Sequence, residues 1–320
     1  MNKKLNFVDE RFELISVIFR LAGNWEYNIG AGGLDGIAYP FTDEEYAQAS
    51  KCEYTNAYQR KVSKTFRRYA EHDAVKYAKG SGLGYVIPLR FALHTKKDGE
   101  GFVFIKNTDS FFDGIPEGEM AKIYLPLLED MKEKFLPLLN KFYKDTNYAE
   151  FYTSHIPYFE ELTQKYYDET YRNVDFDWFS KYVDVSNLRC VLSPSNTVTN
   201  YGSTINNEII YCLVRISSGA AAMIHEFNHS FANPIADRWY MEDKAFKKWC
   251  EDSINAEKMP YYADGLSMAR EYVTRAYDAL YKIQHGEDME QTLTNEKNGL
   301  CENAFPYIKE IYEMVLALEK

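Results

Sequence analysis

The amino-acid sequence predicts an α+β protein, predominantly helical, with a small sheet placed directly before one central helix. Three features carry that expectation. Apolar residues recur at helical spacing through most of the first 185 positions, three short runs rich in Val, Ile, Thr and Tyr lie between 188 and 214, and helical spacing then returns and lasts to the end. The 320 residues suit one large or two smaller domains, and no repeat or low-complexity linker marks a sharp boundary. The expected division is a mainly helical region over 1–185 and a second region over 186–320.

Phe12, Ile15, Ile18, Phe19 and Ala22 place one apolar face on the first helix. The glycine-rich stretch Gly30 to Gly36 reads as a loop, since it lacks the GxGxxG spacing of a phosphate cradle. Thr42 with Glu45 reads as a capping box opening a helix through about Arg68. Asp98-Gly99 has the composition of a hairpin turn, although Pro88 argues against a strand over the preceding segment from Tyr85. Ala121 to Tyr143 is expected to be a long amphipathic helix, started or kinked near Pro126 and strained at Pro137. Tyr148 to Tyr182 is expected to be helical with a break near Pro157. Leu188 to Leu192, Asn196 to Tyr201 and Glu208 to Val214 read as three strands, and Ile308 to Leu318 as a closing amphipathic helix.

Composition narrows the function classes. A hydrophobic share of 46% with 27 Tyr and 20 Phe provides a core without disulfides and excludes intrinsic disorder. A net charge of −11 with no basic stripe excludes nucleic acid as the main partner. The five cysteines, Cys52, Cys190, Cys212, Cys250 and Cys301, are scattered and read as isolated thiols in a reducing compartment. No segment has the ~20 apolar residues of a membrane span. Acidic Asp9, Glu10 and Glu13 stand directly before the first apolar stretch, unlike a leader. These features place the chain in the cytoplasm, or outside it if a leader has been removed.

The chemistry concentrates in His225-Glu226-Phe227-Asn228-His229, an HExxH sequence. On a helix, residues four apart share a face, so both imidazoles can reach one metal ion. Ala220, Ile224, Phe227 and Phe231 form the apolar stripe of that helix, Ser217 or Ser218 is the expected cap, and Asn233-Pro234 the expected stop. Glu226 can take a proton from a water at the metal. A catalytic zinc wants a third protein ligand. Glu271, on a helix read over Ser267 to Tyr281 and 46 residues past His225 (271 − 225), supplies it. The bland alternative for Glu271 is a surface carboxylate paired with Arg275 at i+4. Asp264, Glu242 and His285 are the weaker alternatives as ligands. Zinc is favoured over other ions by ligand type.

With Glu271 on a helix, His225, Glu226 and His229 resemble a gluzincin, the thermolysin-like subset of zincin metallopeptidases. The stretch from His225 to Pro234 also resembles an uncharacterised bacterial family of domains of unknown function, and Asp9 to Leu14 and His72-Asp73 are similar to that family. The resemblance implies a zincin-like catalytic region over 186–320, one zinc on His225, His229 and Glu271, and Glu226 activating water against a peptide bond. It implies that one strand, Asn196 to Tyr201 or Glu208 to Val214, lies at a sheet edge where an extended peptide docks. The chain departs from thermolysin-like enzymes at Arg270-Glu271, where they carry Asn-Glu.

A tetrahedral oxygen would need a donor besides the metal. Tyr277 and Tyr201 are the first expectations, with Tyr281 and Tyr262 beside them. Asp237 and Asn233 lie where they could support the imidazoles, although capping and chain termination are the expected roles. His72, His94 and His155 read as ordinary core or surface histidines. Ser193-Pro194-Ser195 is a turn lacking GxSxG. The leading reading is a zinc metallopeptidase with a peptide or protein substrate. Its rivals are a zincin-fold protein with non-peptidase amide hydrolysis or a binding role only, and a helical interaction protein whose HExxH is accidental.

Overall fold

In this computed structural model the described residues are 7–24, 27, 57–83, 86–105, 126–195, 200–205, 209–214, 218–255, 257–259, 262 and 264–319. The Gly30–Gly36 loop, the Thr42 capping box and part of the Asn196–Tyr201 strand fall outside them. The chain divides into two units, Met1–Asn173 with Arg189–Gly219, and Val174–Leu188 with Ala220–Lys320. A single cut near 185 would separate the units in sequence; here the chain passes between them at 174, 189 and 220, and the three strands fall in the first unit apart from Leu188.

In the first unit, α1 (Glu10–Leu21) is opened by Asp9, whose carboxylate accepts from the Arg11 backbone N–H at 2.9 Å. The expected single apolar face underestimates its burial: Glu13, Ser16 and Arg20 on its other faces are buried as well. Around the chain follow α2 (Ala57–Phe66), α3 (Asp73–Ser81) and α4 (Val86–Leu93). His72 caps α3 by accepting from Ala74 N–H at 3.1 Å. Pro88 stands in the first turn of α4, where a missing N–H leaves no helical bond unmade, so the segment from Val86 is helix and not strand. The hairpin exists just beyond it, as β1 (Thr95–Asp98) and β2 (Gly101–Phe104), with Asp98 opposite Gly101 and Gly99 at φ 60° making the turn.

The long helix continues from 126–130 through a π turn at Met131–Phe135 into α5 (Leu136–Asp145). The wider π turn directly precedes Pro137, where a regular turn would set the proline ring against a carbonyl. Next are α6 (Tyr148–Ser154) and α7 (Ile156–Glu169), broken at His155 with Pro157 opening the second, as expected.

β3 (Leu188–Leu192), β4 (Tyr201–Ile205) and β5 (Ile209–Val214) form a sheet in the order β3-β5-β4, with Tyr201 opposite Leu213 and Ile205 opposite Ile209. The second strand therefore begins where the sequence reading ended it. β5 is the middle strand, so Ile209–Val214, the described part of the expected Glu208 to Val214 strand, has no free edge for a peptide. The Ser-Pro-Ser turn after β3 is an anchor: the Ser193 and Ser195 hydroxyls donate to buried Glu13 at 3.1 and 2.6 Å, and Arg20 donates to the Ser195 carbonyl at 2.6 Å.

The second unit contains α8 (Phe176–Phe179), α9 (Ala220–Glu242), α10 (Lys244–Asp252), α11 (Gly265–Gln284), α12 (Met289–Lys297) and α13 (Ile308–Leu318). The last matches its sequence reading. Among the described residues, helices α9 and α11 are the most extensively packed pair. Gly265 opens α11 because Tyr240 of α9 lies where a Cβ would sit, with its Cζ only 2.9 Å away. Trp178, Phe179 and Tyr182 close the other side of the core on Phe227, Phe231 and Tyr281, with Tyr182 stacked on Phe231 at 4.4 Å.

One local expectation about α9 fails. Pro234 does not stop the helix, which runs on to Glu242. An interior proline costs about 3 kcal/mol. Here buried Ala236 and a two-bond ion pair from Arg270 of α11 to Asp237, at 2.7 and 2.8 Å, hold the second half in place. Of the two expected caps, Ser217 lies outside the described residues, and the Ser218 hydroxyl donates to Asn200 at 2.7 Å. Cys190, Cys250 and Cys301 are free thiols. No described helix is long and apolar enough to cross a membrane.

Candidate metal centre

The centre forms where the polar faces of α9 and α11 meet. His225, Asn228, His229 and Asn233 recur at three- and four-residue steps along α9. Glu271, Thr274, Arg275 and Asp278 do the same along α11, so each set shares a helix face. The apolar residues on the remaining faces, such as Phe227, Ala232, Met268, Val273 and Ala276, are buried and bring the two polar faces into the interior.

His225, His229 and Glu271 each offer one ligand atom, all within 4.8 Å of one another. Nε2 of His225 is 3.5 Å from Oε1 of Glu271, and Nε2 of His229 is 3.9 Å from Oε2. The outer nitrogens are engaged elsewhere. Nδ1 of His225 lies 2.7 Å from Asp278, whose other oxygen accepts from Asn228 at 2.8 Å. Nδ1 of His229 lies 3.0 Å from the Asn233 side-chain oxygen and 3.0 Å from the Thr274 hydroxyl. Acceptors at both outer nitrogens place the ring hydrogens there, which turns the inner nitrogens toward Glu271 as donors for a cation.

Charge at this place follows from burial and neighbours. Burial raises the cost of ionising Glu271, yet His225, Arg275 and His229 together pull its carboxyl well below the ordinary range. Burial works against a proton on His225, but Asp278 and Glu271 outweigh it and hold that imidazole well above its usual pKa. His229 goes the other way, down to about 4, through burial and the positive charge of His225. One positive charge is thus held between the inner faces of the ligands, and it can be a proton or a metal ion. Two neutral nitrogens and one anionic oxygen, with outward hydrogen bonds already made, fit a divalent transition metal.

The sequence-derived residues are placed as follows. His225, His229 and Glu271 come together. Glu271 is only 2% exposed, so it is no surface carboxylate, although the pairing with Arg275 exists at 2.8 Å. Glu226 is buried beside His225. The Tyr262 phenol is raised well above its normal value by burial and by Glu271, against Arg275, with a weaker contribution from Glu226. Tyr277 is packed edge-on against Tyr182 and Phe231, and the Tyr281 hydroxyl accepts from the Asp175 backbone at 2.9 Å. Tyr201 belongs to the other unit, where its hydroxyl accepts from Arg90 at 2.7 Å.

Asp264 caps α11, Glu242 ends α9, and His285 is held by Asp175 and the Tyr281 carbonyl, so none of the three joins the cluster. Asn233 supports His229 instead of terminating a helix, while Asp237 pairs with Arg270. Asp278, Asn228 and Thr274 escaped the sequence reading. Their signal was present: each lies three or seven residues from a ligand on its own helix, the spacing that shares a face.

No family model, no curated protein and no solved structure matches the chain.

Proposed function

We propose that the chain is a zinc-dependent hydrolase of the metallopeptidase kind, acting on a peptide or protein, with the metal on His225, His229 and Glu271. One observation carries this reading: two imidazoles with their outer nitrogens tied back present their inner nitrogens to a buried carboxylate. When bound, zinc supplies a Lewis acid and makes water acidic near neutral pH. Glu226 takes the proton from the attacking water and delivers it to the leaving amine. Asp278 and Asn233 hold the imidazole rings in orientation through Nδ1. Among the tyrosines of this unit named from the sequence, Tyr262 has a phenol that burial and Glu271 hold protonated, which suits it to donate to the charged carbonyl oxygen.

A second reading has its own support. A proton on His225, with Arg275, already balances Glu271 and Asp278, so the cluster can stand as a buried polar network in a protein that binds without turnover.

Metal analysis of protein purified without an affinity metal separates the two. The expected result is one zinc per chain in the wild type and none in His229→Ala or Glu271→Ala. Glu226→Gln should keep the zinc and lose peptide cleavage. A wild type that takes up no metal even when zinc is supplied would sink the hydrolase reading and leave the polar network.

A further inference from the structure

Arg275 lies against Glu271 with most of its side chain buried, and it is gripped from several directions. Its Nε donates to Oε1 of Glu271 at 2.8 Å, and its Nη1 donates to Glu296 at 3.0 Å. Lys282 holds the other oxygen of Glu296 at 2.5 Å, which fixes that carboxylate in turn. The guanidinium lies 4.5 Å over the ring of Phe305, a fully buried side chain. At Gly299 a Cβ would collide with Nη1, so the chain leaves a slot where the guanidinium sits. The Arg275 side chain is 12% exposed and Glu296 6%, so little water competes for these bonds.

Stability alone does not account for such a group. Buried ion pairs are commonly replaceable by apolar residues without loss, because desolvation cancels most of the attraction. What Arg275 adds is direction. A carboxylate with both oxygens free can swing and grip a cation through both of them. With a charged N–H on Oε1, a divalent ion on that same oxygen would be forced close to the guanidinium, and like charges repel. A lysine could supply the charge, but its ammonium cannot reproduce the planar fork that reaches Glu271 and Glu296 at once.

We propose that Arg275 is a positioning residue: Oε1 of Glu271 also lies 3.5 Å from Nε2 of His225, and the charged N–H that Arg275 places on it weakens it as a donor, which favours Oε2 as the oxygen given to a metal and disfavours a grip through both oxygens. The inference rests on the metal reading above. It concerns how the ligand is held, which the metal count alone does not address.

Cobalt(II) added to the metal-free protein tests it, because the visible absorption of cobalt weakens as coordination rises from four to five or six. The wild type should bind one cobalt with strong, low-coordinate absorption. Arg275→Met and Arg275→Lys should each still bind cobalt, about 10-fold or more weakly, and lose most of the visible intensity. Gly299→Ala, which crowds the guanidinium and leaves its charge in place, should shift the spectrum the same way by less. Wild-type spectra and affinity in both Arg275 variants would overturn the proposal. So would a wild-type spectrum that is already weak and high-coordinate, or a wild-type-like Arg275→Lys beside an altered Arg275→Met, which would make charge alone the cause. If circular dichroism shows the Arg275 variants unfolded, an unchanged Gly299→Ala spectrum overturns it. A wild type that binds no cobalt removes the metal reading itself, and this role with it.

Discussion

Two glutamates, one in each unit, are buried to nearly the same degree, Glu13 at 0% exposure and Glu271 at 2%, yet their carboxyls are driven in opposite directions. Burial is the largest influence on both. At Glu13 it wins: the opposing groups are the Ser195 hydroxyl and N–H and the Ser193 hydroxyl, neutral donors, and the carboxyl is pushed up to about 7. At Glu271 burial loses to His225, Arg275 and His229. Neutral donors moderate the cost of burying a charge, whereas cations overturn it. The first glutamate is therefore built to hold a proton and fasten a turn. The second is built to stay charged and meet a cation.

The strongest way to break this contrast is to neutralise each residue. Glu271→Gln leaves Arg275 buried beside an amide and should cost about 3–5 kcal/mol in urea unfolding of the metal-free protein, besides abolishing metal uptake. A variant as stable as the wild type would mean that the Glu271–Arg275 pair is dispensable.

Glu13→Gln should instead matter through pH. The folded carboxyl titrates near 7 and the ordinary value is 4.5, so the folded state binds more protons between them. The protonated Glu13 contributes stability that is complete below pH 4.5 and is lost as pH rises through 7. That loss is about 3 kcal/mol for a shift of this size. Urea unfolding at pH 5 and pH 8 should show wild-type stability falling relative to Glu13→Gln by that order. Parallel pH profiles for the two proteins would remove the argument.

Smaller effects sharpen the second half of the contrast. Asp278→Asn takes the anionic acceptor from His225 and should weaken zinc binding by about 10- to 100-fold, read by competition with a chromophoric chelator. Thr274→Val removes one of two partners at His229 and should weaken it by less than ~10-fold, because Asn233 still holds the ring. An effect of Thr274→Val larger than that of Asp278→Asn would show that His229, and not His225, depends more on its support.

Much of the centre was legible from residue order. HExxH places two imidazoles on one helical face wherever it is helical, and a carboxylate in a second amphipathic segment is the natural third donor, so His225, His229 and Glu271 could be named. β3, β5 and α13 were also readable, since alternation and helical spacing are local properties. The helix through Pro234 was not, because a local rule against interior proline yields to the ion pair between Asp237 and Arg270, residues 33 apart in sequence. Of the π turn, only the strain at Pro137 was readable; its extent over Met131–Phe135 was not.

The sequence by itself determined which residues could share a helix face, because helical geometry is set by neighbours three and four positions apart. Only the tertiary structure decided which faces meet. Asp278 lies 53 residues from the imidazole it supports, and Thr274 45 residues from the other. The supporting shell of the centre is thus a product of packing between α9 and α11. The charge of Glu271 was decided there too, since it depends on the cations folded around it and not on the residue type.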